Sequence, residues 1–146
     1  GYSDYGGDSS AVEAKLRGNV TAIFNNRKAF AALKVHGELV TWGGSWEGGD
    51  SSAVEAKLRS NVTALFSRQC HSSEAAFAAL KFTGEVVTWG TPTKGGYPHA
   101  AAAAKLRSNV IAIFSTLNGF AALKASGEVV LWGTHHLYGS SSGVEA

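Results

Sequence analysis

The residues best suited to chemistry are few and scattered along the chain. Cys70 and His71 are adjacent in the segment Arg68-Gln69-Cys70-His71-Ser72-Ser73-Glu74. A thiolate beside an imidazole could form a nucleophilic pair or hold a metal. Neighbouring residues on an extended loop point apart, however, and no Asp or Asn is placed to orient the imidazole. An exposed loop with an incidental thiol is expected. His99 and His135-His136 supply further imidazoles, which are good transition-metal ligands, but no carboxylate stands at a ligating spacing. They are expected to be separate surface histidines. The chain has no phosphate-cradling glycine loop, nucleophile elbow or paired carboxylates. Catalytic residues, a cofactor and a metal are therefore not expected, and the chain reads as a non-enzyme.

Composition narrows the classes further. The chain has 146 residues, 45% hydrophobic and 16% charged, the balance of one globular domain. Lys plus Arg number 13 and Asp plus Glu number 11, so net charge is +2. That is too balanced for the broad electrostatic footprint of a nucleic-acid binder. One cysteine excludes an internal disulfide and a Cys-rich zinc module. No apolar run approaches the roughly 18 residues of a transmembrane helix. With 18 Gly and only 2 Pro, tight turns and close backbone packing are expected.

The elements that must position any functional residue come from an internal repeat. GGDSSAVEAKLRGNVTAIF, from Gly6, leads to FAALKVHGELVTWG, ending at Gly43. The pattern restarts at Gly48 and at Gly95, and a fourth start is at Tyr138-Gly139. The offsets are 42, 47 and 43 residues. The extra length sits in one place: Phe24 to Phe30 and Phe114 to Phe120 are six apart, but Phe66 to Phe77 is eleven. Units of 6–47, 48–94 and 95–137 follow, with partial units at 1–5 and 138–146. These partial units predict a longer parent array.

Each unit reads as a short helix and three antiparallel strands. Ser10-x-x-Glu13 and Ser52-x-x-Glu55 predict capping boxes opening helices over AVEAKLR. In the third unit Pro98 is expected in the first helical turn, followed by the run Ala100 to Ala104. Gly18, Ser60-Asn61 and Ser108-Asn109 are expected to end the helices. Strands are predicted at Val20 to Phe24, Phe30 to Lys34 and Glu38 to Trp42. Their counterparts are Val62 to Phe66, Phe77 to Lys81, Glu85 to Trp89, Val110 to Phe114, Phe120 to Lys124 and Glu128 to Trp132. Tight turns at Gly37, Gly84 and Gly127 join the second and third strands. One such unit cannot bury its own faces. Ala pairs such as Ala31-Ala32 let neighbouring sheets approach closely. The fold class is mainly β with short helices, stacked as a propeller-like arc or, alternatively, an open β-rich solenoid.

F-A-A-L-K-x-x-G-E-V-V-x-W-G resembles the repeat of the regulator of chromosome condensation family. Its columns are Gly37, Trp42 and Gly43; Gly84, Trp89 and Gly90; and Gly127, Trp132 and Gly133. The units here are shorter, a helix replaces the family's outer strand, and Phe stands where the family has His. The resemblance implies a propeller blade. Compact arrays of this kind look like algal ones, some labelled ubiquitin-ligase-like.

Strand directions place the variable segments 2–5, 25–28, 44–47, 68–74, 91–94, 116–119 and 134–138 on one rim. Variation on one rim over a repeated frame is how repeat proteins present binding surfaces. The candidate partner-binding residues are Tyr2, Tyr5, Trp46, Arg68, His71, Tyr97, His135, His136 and Tyr138. Trp42, Trp89 and Trp132 raise a light-sensing reading, but their repeated column marks them as core. Trp46 alone is off that column, a contact anchor. The repeated Lys-Leu-Arg (Lys15 to Arg17, Lys57 to Arg59, Lys105 to Arg107) turns Leu inward and the cations outward. Glu38, Glu85 and Glu128 form a structural column at strand starts. The reading is a non-catalytic protein-interaction or scaffold module, an excerpt or accessory subunit of a larger assembly, in one form an algal photosynthetic complex. Its partner is a protein or the rest of its own array. The alternatives are a regulatory propeller of the nucleotide-exchange or ubiquitin-ligase-associated type, and a lectin-like binder using the rim aromatics.

Overall fold

In the computed structural model, which describes residues 2–67, 74–117 and 119–133, the repeat becomes three separate three-stranded antiparallel sheets in sequence. The first contains β1 (Val20–Asn25), β2 (Ala29–Lys34) and β3 (Leu39–Gly43). The second contains β4 (Val62–Ser67), β5 (Ala76–Lys81) and β6 (Val86–Gly90). The third contains β7 (Val110–Ser115), β8 (Gly119–Lys124) and β9 (Val129–Gly133). Each sheet keeps chain order, so every connection inside it is a hairpin. All nine strands lie within one residue of the predicted bounds. The residues 1, 68–73, 118 and 134–146 fall outside the described set.

The helices differ in detail from expectation. Only α1 (Glu13–Leu16) and α2 (Glu55–Leu58) are α-helical in AVEAKLR; the tight turns Ser10–Val12 and Ser52–Val54 precede them. The capping boxes do not form. The Ser10 N–H donates instead to Asp8 Oδ1, and the Ser52 N–H to Asp50 Oδ1, each at 2.9 Å. Glu13 reaches forward to Arg17 at 3.3 Å instead of back to the turn. The Asp two residues earlier has taken the donor. Pro98 lies outside the first turn, because His99 is the N-cap of α3 (Ala100–Lys105). Gly18 is not the left-handed residue either: Asn19, Asn61 and Asn109 take that conformation, with φ of 63°, 64° and 61°. Asn tolerates it because its short amide stabilises the backbone locally.

Asp50 makes the turn sensitive to acid. Hydrogen bonds from the Ser52 hydroxyl and backbone hold its carboxyl below the ordinary carboxylate value. A folded-state value depressed below the unfolded one contributes stability above the unfolded value, lost as pH falls through the folded value. Asp50→Ala is expected to cost about 1 kcal/mol at neutral pH. In urea titrations the gap to wild type should close in strong acid, and a gap that persists there would show that the carboxylate is not its source.

The core lies between sheets. On β5 the residues alternate: Phe77 and Ala79 face the first sheet, Ala76 and Ala78 face the third. At the first junction Ala29, Ala31 and Leu39 meet Val62, Leu65, Phe77, Val87 and Trp89, with Leu58 of α2. At the second, Ala76, Ala78 and Val86 meet Val110, Ile113, Phe120, Val130 and Trp132, with Leu106 of α3. Each sheet thus has an incoming face rich in aromatics and an outgoing face rich in alanine. Small side chains on one face admit the large ones of the next. Phe77 stacks on Trp89 and Phe120 on Trp132, with ring centroids 5.3 and 5.2 Å apart. Two of the three column Trp residues are core, as their repetition predicted: Trp89 and Trp132 are buried, and their indoles donate to the Gly48 and Gly95 carbonyls at 3.0 and 3.2 Å; Trp42, on the first sheet, makes the same bond to the Gly6 carbonyl at 3.2 Å but is only half-buried.

A bulge interrupts the first strand pair of every sheet, between Val20 and Ala22, Val62 and Ala64, and Val110 and Ala112. Residues three apart on a regular strand face opposite sides. The extra residue turns Val62 and Leu65 into the same cluster, and Val110 and Ile113 likewise. The first strands also meet across units: the Ser67 hydroxyl donates to the Asn25 carbonyl at 2.8 Å, and the Ser115 hydroxyl to the Ser67 carbonyl at 3.3 Å.

The outward lysines of the Lys-Leu-Arg motif have partners. Lys57 pairs with Glu85 and Lys105 with Glu128, tying helix to hairpin within a unit. The Lys105 side chain holds Glu128 below its ordinary value. In the first unit Lys34 serves Glu38 at 3.8 Å, and Lys15 reaches Glu55 of the next unit at 3.9 Å.

Candidate functional site

The strand directions put the loops after the first and third strands of each sheet at one end, as expected. The contacts in the first unit show it. The Asn26 amide donates to the Glu47 carbonyl at 2.7 Å, and the Gly44 N–H donates to the Lys28 carbonyl at 2.8 Å. Asn26 is buried, and its Oδ1 accepts from the Lys28 and Ala29 N–H groups at 3.1 and 2.9 Å. One side chain thereby closes the β1–β2 loop and anchors the loop beyond β3. The carboxylate of buried Glu47 pairs with Lys28 at 3.2 Å. The second unit joins the same two loops with the signs exchanged, Lys94 to Glu74 at 3.2 Å.

On this fixed rim the described candidate residues form two groups. Tyr2 and Tyr5 sit edge to face, their ring centroids 6.5 Å apart, with the Lys28 ammonium 5.3 Å from the Tyr5 ring centre. Both are exposed. Trp46 and Tyr97 line one open groove of about 360 Å³, together with Pro92, Asp50, Ser51 and Ser52. Trp46 is 71% exposed and Tyr97 64%.

The exposure of Trp46 comes from a held backbone. Trp46 lies in the helical turn Ser45–Gly49, whose Gly48 has a φ of 102°. The buried Thr91 hydroxyl donates to the Trp46 carbonyl at 3.0 Å and accepts from the Ala75 N–H at 3.2 Å. A side-chain hydroxyl of the second unit therefore fixes the turn, and the indole projects outward. A rigid, exposed aromatic loses little entropy on binding, so its apolar area converts well to affinity.

The polar groups of the groove are engaged within the protein. Its carboxylate, Asp50, is committed to the Ser52 N–H, and the Ser51 hydroxyl lies 2.8 Å from that of Thr41. Among the described residues, no three His, Cys, Asp or Glu side chains come together as a metal site. His99 is exposed at the start of α3. Arg68, Cys70, His71, His135, His136 and Tyr138 lie outside the described residues. Sequence reasoning named Trp46 and Tyr97 singly and missed that one groove holds both, with Pro92 and the Asp50 turn between. Both follow a Trp-Gly column, by three residues after Gly43 and seven after Gly90, and that shared placement was the available signal. No protein-family model matches the chain, and no curated protein matches it.

Proposed function

We propose that this chain is a non-catalytic protein-interaction module: a propeller-like repeat array that offers one rim to a protein partner. The carrying observation is the groove in which Trp46 and Tyr97 stand exposed on a backbone clamped by Thr91. The order of the strands and the Gly-turn and Trp-Gly columns fit the resemblance to the regulator of chromosome condensation repeat. In a scaffold of this kind the repeated residues hold the frame and the loop residues choose the partner.

The test is quantitative co-purification of the tagged chain with its partners, wild type against Trp46→Ala/Tyr97→Ala. At least one species held by wild type should fall by about tenfold or more. The thermal midpoint should barely move, since both side chains project from the frame. Equal recovery of every species by the two proteins would remove the groove as the docking site.

A further inference from the structure

The groove between Trp46 and Tyr97 has a one-sided chemistry. The residue after each Gly-Gly pair is Asp8, Asp50 and Tyr97 in successive units, and the groove brings Asp50 and Tyr97 together beside Trp46. Asp50 is exposed, and no lysine, arginine or histidine among the described residues lines the groove with it. The lysines of the adjoining rim loops are already paired, Lys28 with Glu47 and Lys94 with Glu74. Three hydroxyls of the groove have committed their protons inward. Thr88 donates to the Gly96 carbonyl at 3.0 Å. Thr41 donates to the Gly49 carbonyl at 3.0 Å, so in the 2.8 Å contact between Thr41 and Ser51 the proton comes from Ser51. Ser52 donates to the Asp50 carboxylate and favours its ionised form. A hydroxyl has one proton and two lone pairs, so each of the three keeps accepting capacity. Beside them stand two aromatic faces, which are electron-rich, and one carboxylate.

We infer that the groove receives an arginine side chain of the protein partner, its guanidinium against the Trp46 and Tyr97 rings and its N–H groups on the Asp50 carboxylate. This rests on the groove being the docking site and names what it docks. Charge complementarity selects a cation, and the surplus of acceptors selects a group that only donates. A guanidinium has five donors and no acceptor. It is also planar and weakly hydrated, so it stacks on an aromatic face while it bonds a carboxylate. An ammonium carries the charge without the plane. A saccharide brings hydroxyl protons and lone pairs alike and leaves the Asp50 charge unmatched.

The probe is the peptide acetyl-Gly-Arg-Gly-amide, titrated into the isotope-labelled intact chain. The readout is the indole N–H resonance of Trp46, assigned by its loss in Trp46→Phe. The comparison peptide carries citrulline, the neutral isostere of arginine. The arginine peptide should shift the Trp46 signal saturably and bind about tenfold more tightly than the citrulline peptide. Asp50→Asn keeps an oxygen to accept the Ser52 N–H and removes only the charge. It should weaken the arginine peptide about fivefold or more while retaining wild-type circular dichroism. Tyr97→Ala serves as the second variant should Asp50→Asn lose its β spectrum, and it should weaken the same peptide by a similar factor. An unmoved Trp46 signal, equal affinity for the two peptides, or a folded variant that binds arginine as wild type does would each overturn the inference. Co-purification separates this inference from the groove reading beneath it. A partner lost by Trp46→Ala/Tyr97→Ala but retained by Asp50→Asn would leave the groove as a docking site and remove the cation. Equal recovery by all variants would remove the groove itself.

Discussion

Phe77→Ala is expected to destabilise the chain by about 4 kcal/mol, the middle of the range for deleting a buried aromatic ring. Phe77 is fully buried at the centre of the first junction. Its ring stacks on Trp89, and the edge of Gly48 lies so close that a Cβ there would approach Phe77 Cδ2 to 2.6 Å. The cavity left by alanine would be walled by two sheets, which are held by backbone hydrogen bonds and cannot collapse inward. Phe30→Ala, at the equivalent position of the first sheet, should cost about half as much, because Phe30 is only half-buried there. For a chain of this size the Phe77 change corresponds to a fall of roughly 10 °C in Tm. Thermal melts and urea titrations of the two variants measure the difference. Equal losses at the two positions would mean that the ring contributes within its own sheet and not across the junction.

Gly84→Ala should be nearly as damaging, and Gly127→Ala mild. Both glycines have left-handed backbones, with φ of 81° and 88°, so a Cβ strains each by about 1–2 kcal/mol. At Gly84 the Cβ would also lie 2.7 Å from Asn109 N and 3.1 Å from Val110 N. Those atoms are backbone, fixed by the bond from Val110 N–H to the Gly84 carbonyl, and relief requires the second and third sheets to part. Overpacking of this kind adds about 1–3 kcal/mol. The expected difference between the variants is therefore about 2 kcal/mol in urea titration. Variants of equal stability would show that conformational strain alone explains both glycines.

Much of this architecture was legible in the residues. The strands followed from five-residue runs bounded by Asn and Gly, and the threefold repetition marked Trp42, Trp89 and Trp132 as core, which holds for the two at the internal junctions. The stacking of sheets was implied because one unit cannot bury its own faces and Ala pairs such as Ala31-Ala32 let sheets approach; in the structure every residue of β5 from Ala76 to Ala79 is buried. A strand apolar on both faces needs a neighbour on each side. Helix starts were less legible. Ser-x-x-Glu is a fair capping pattern, but Asp8 and Asp50, only two residues away, take the Ser10 and Ser52 N–H groups that the Glu13 and Glu55 carboxylates would accept in a capping box. The bulges were hidden because Val-x-x-Leu reads as broken alternation in a strand. The groove was the least visible feature, since Trp46 and Tyr97 are brought together by a contact between units.

Each unit presents an alanine-rich surface to the unit that follows and an aromatic surface to the one before. This asymmetry gives the array a heredity as well as a direction. An in-frame duplication of one unit creates no new interface, because the copy inherits both halves of a junction that already packs. Deletion of a unit rejoins the same two halves. The number of units can therefore drift over evolutionary time while the packing of each junction is preserved, and the rim loops are left to diverge one unit at a time.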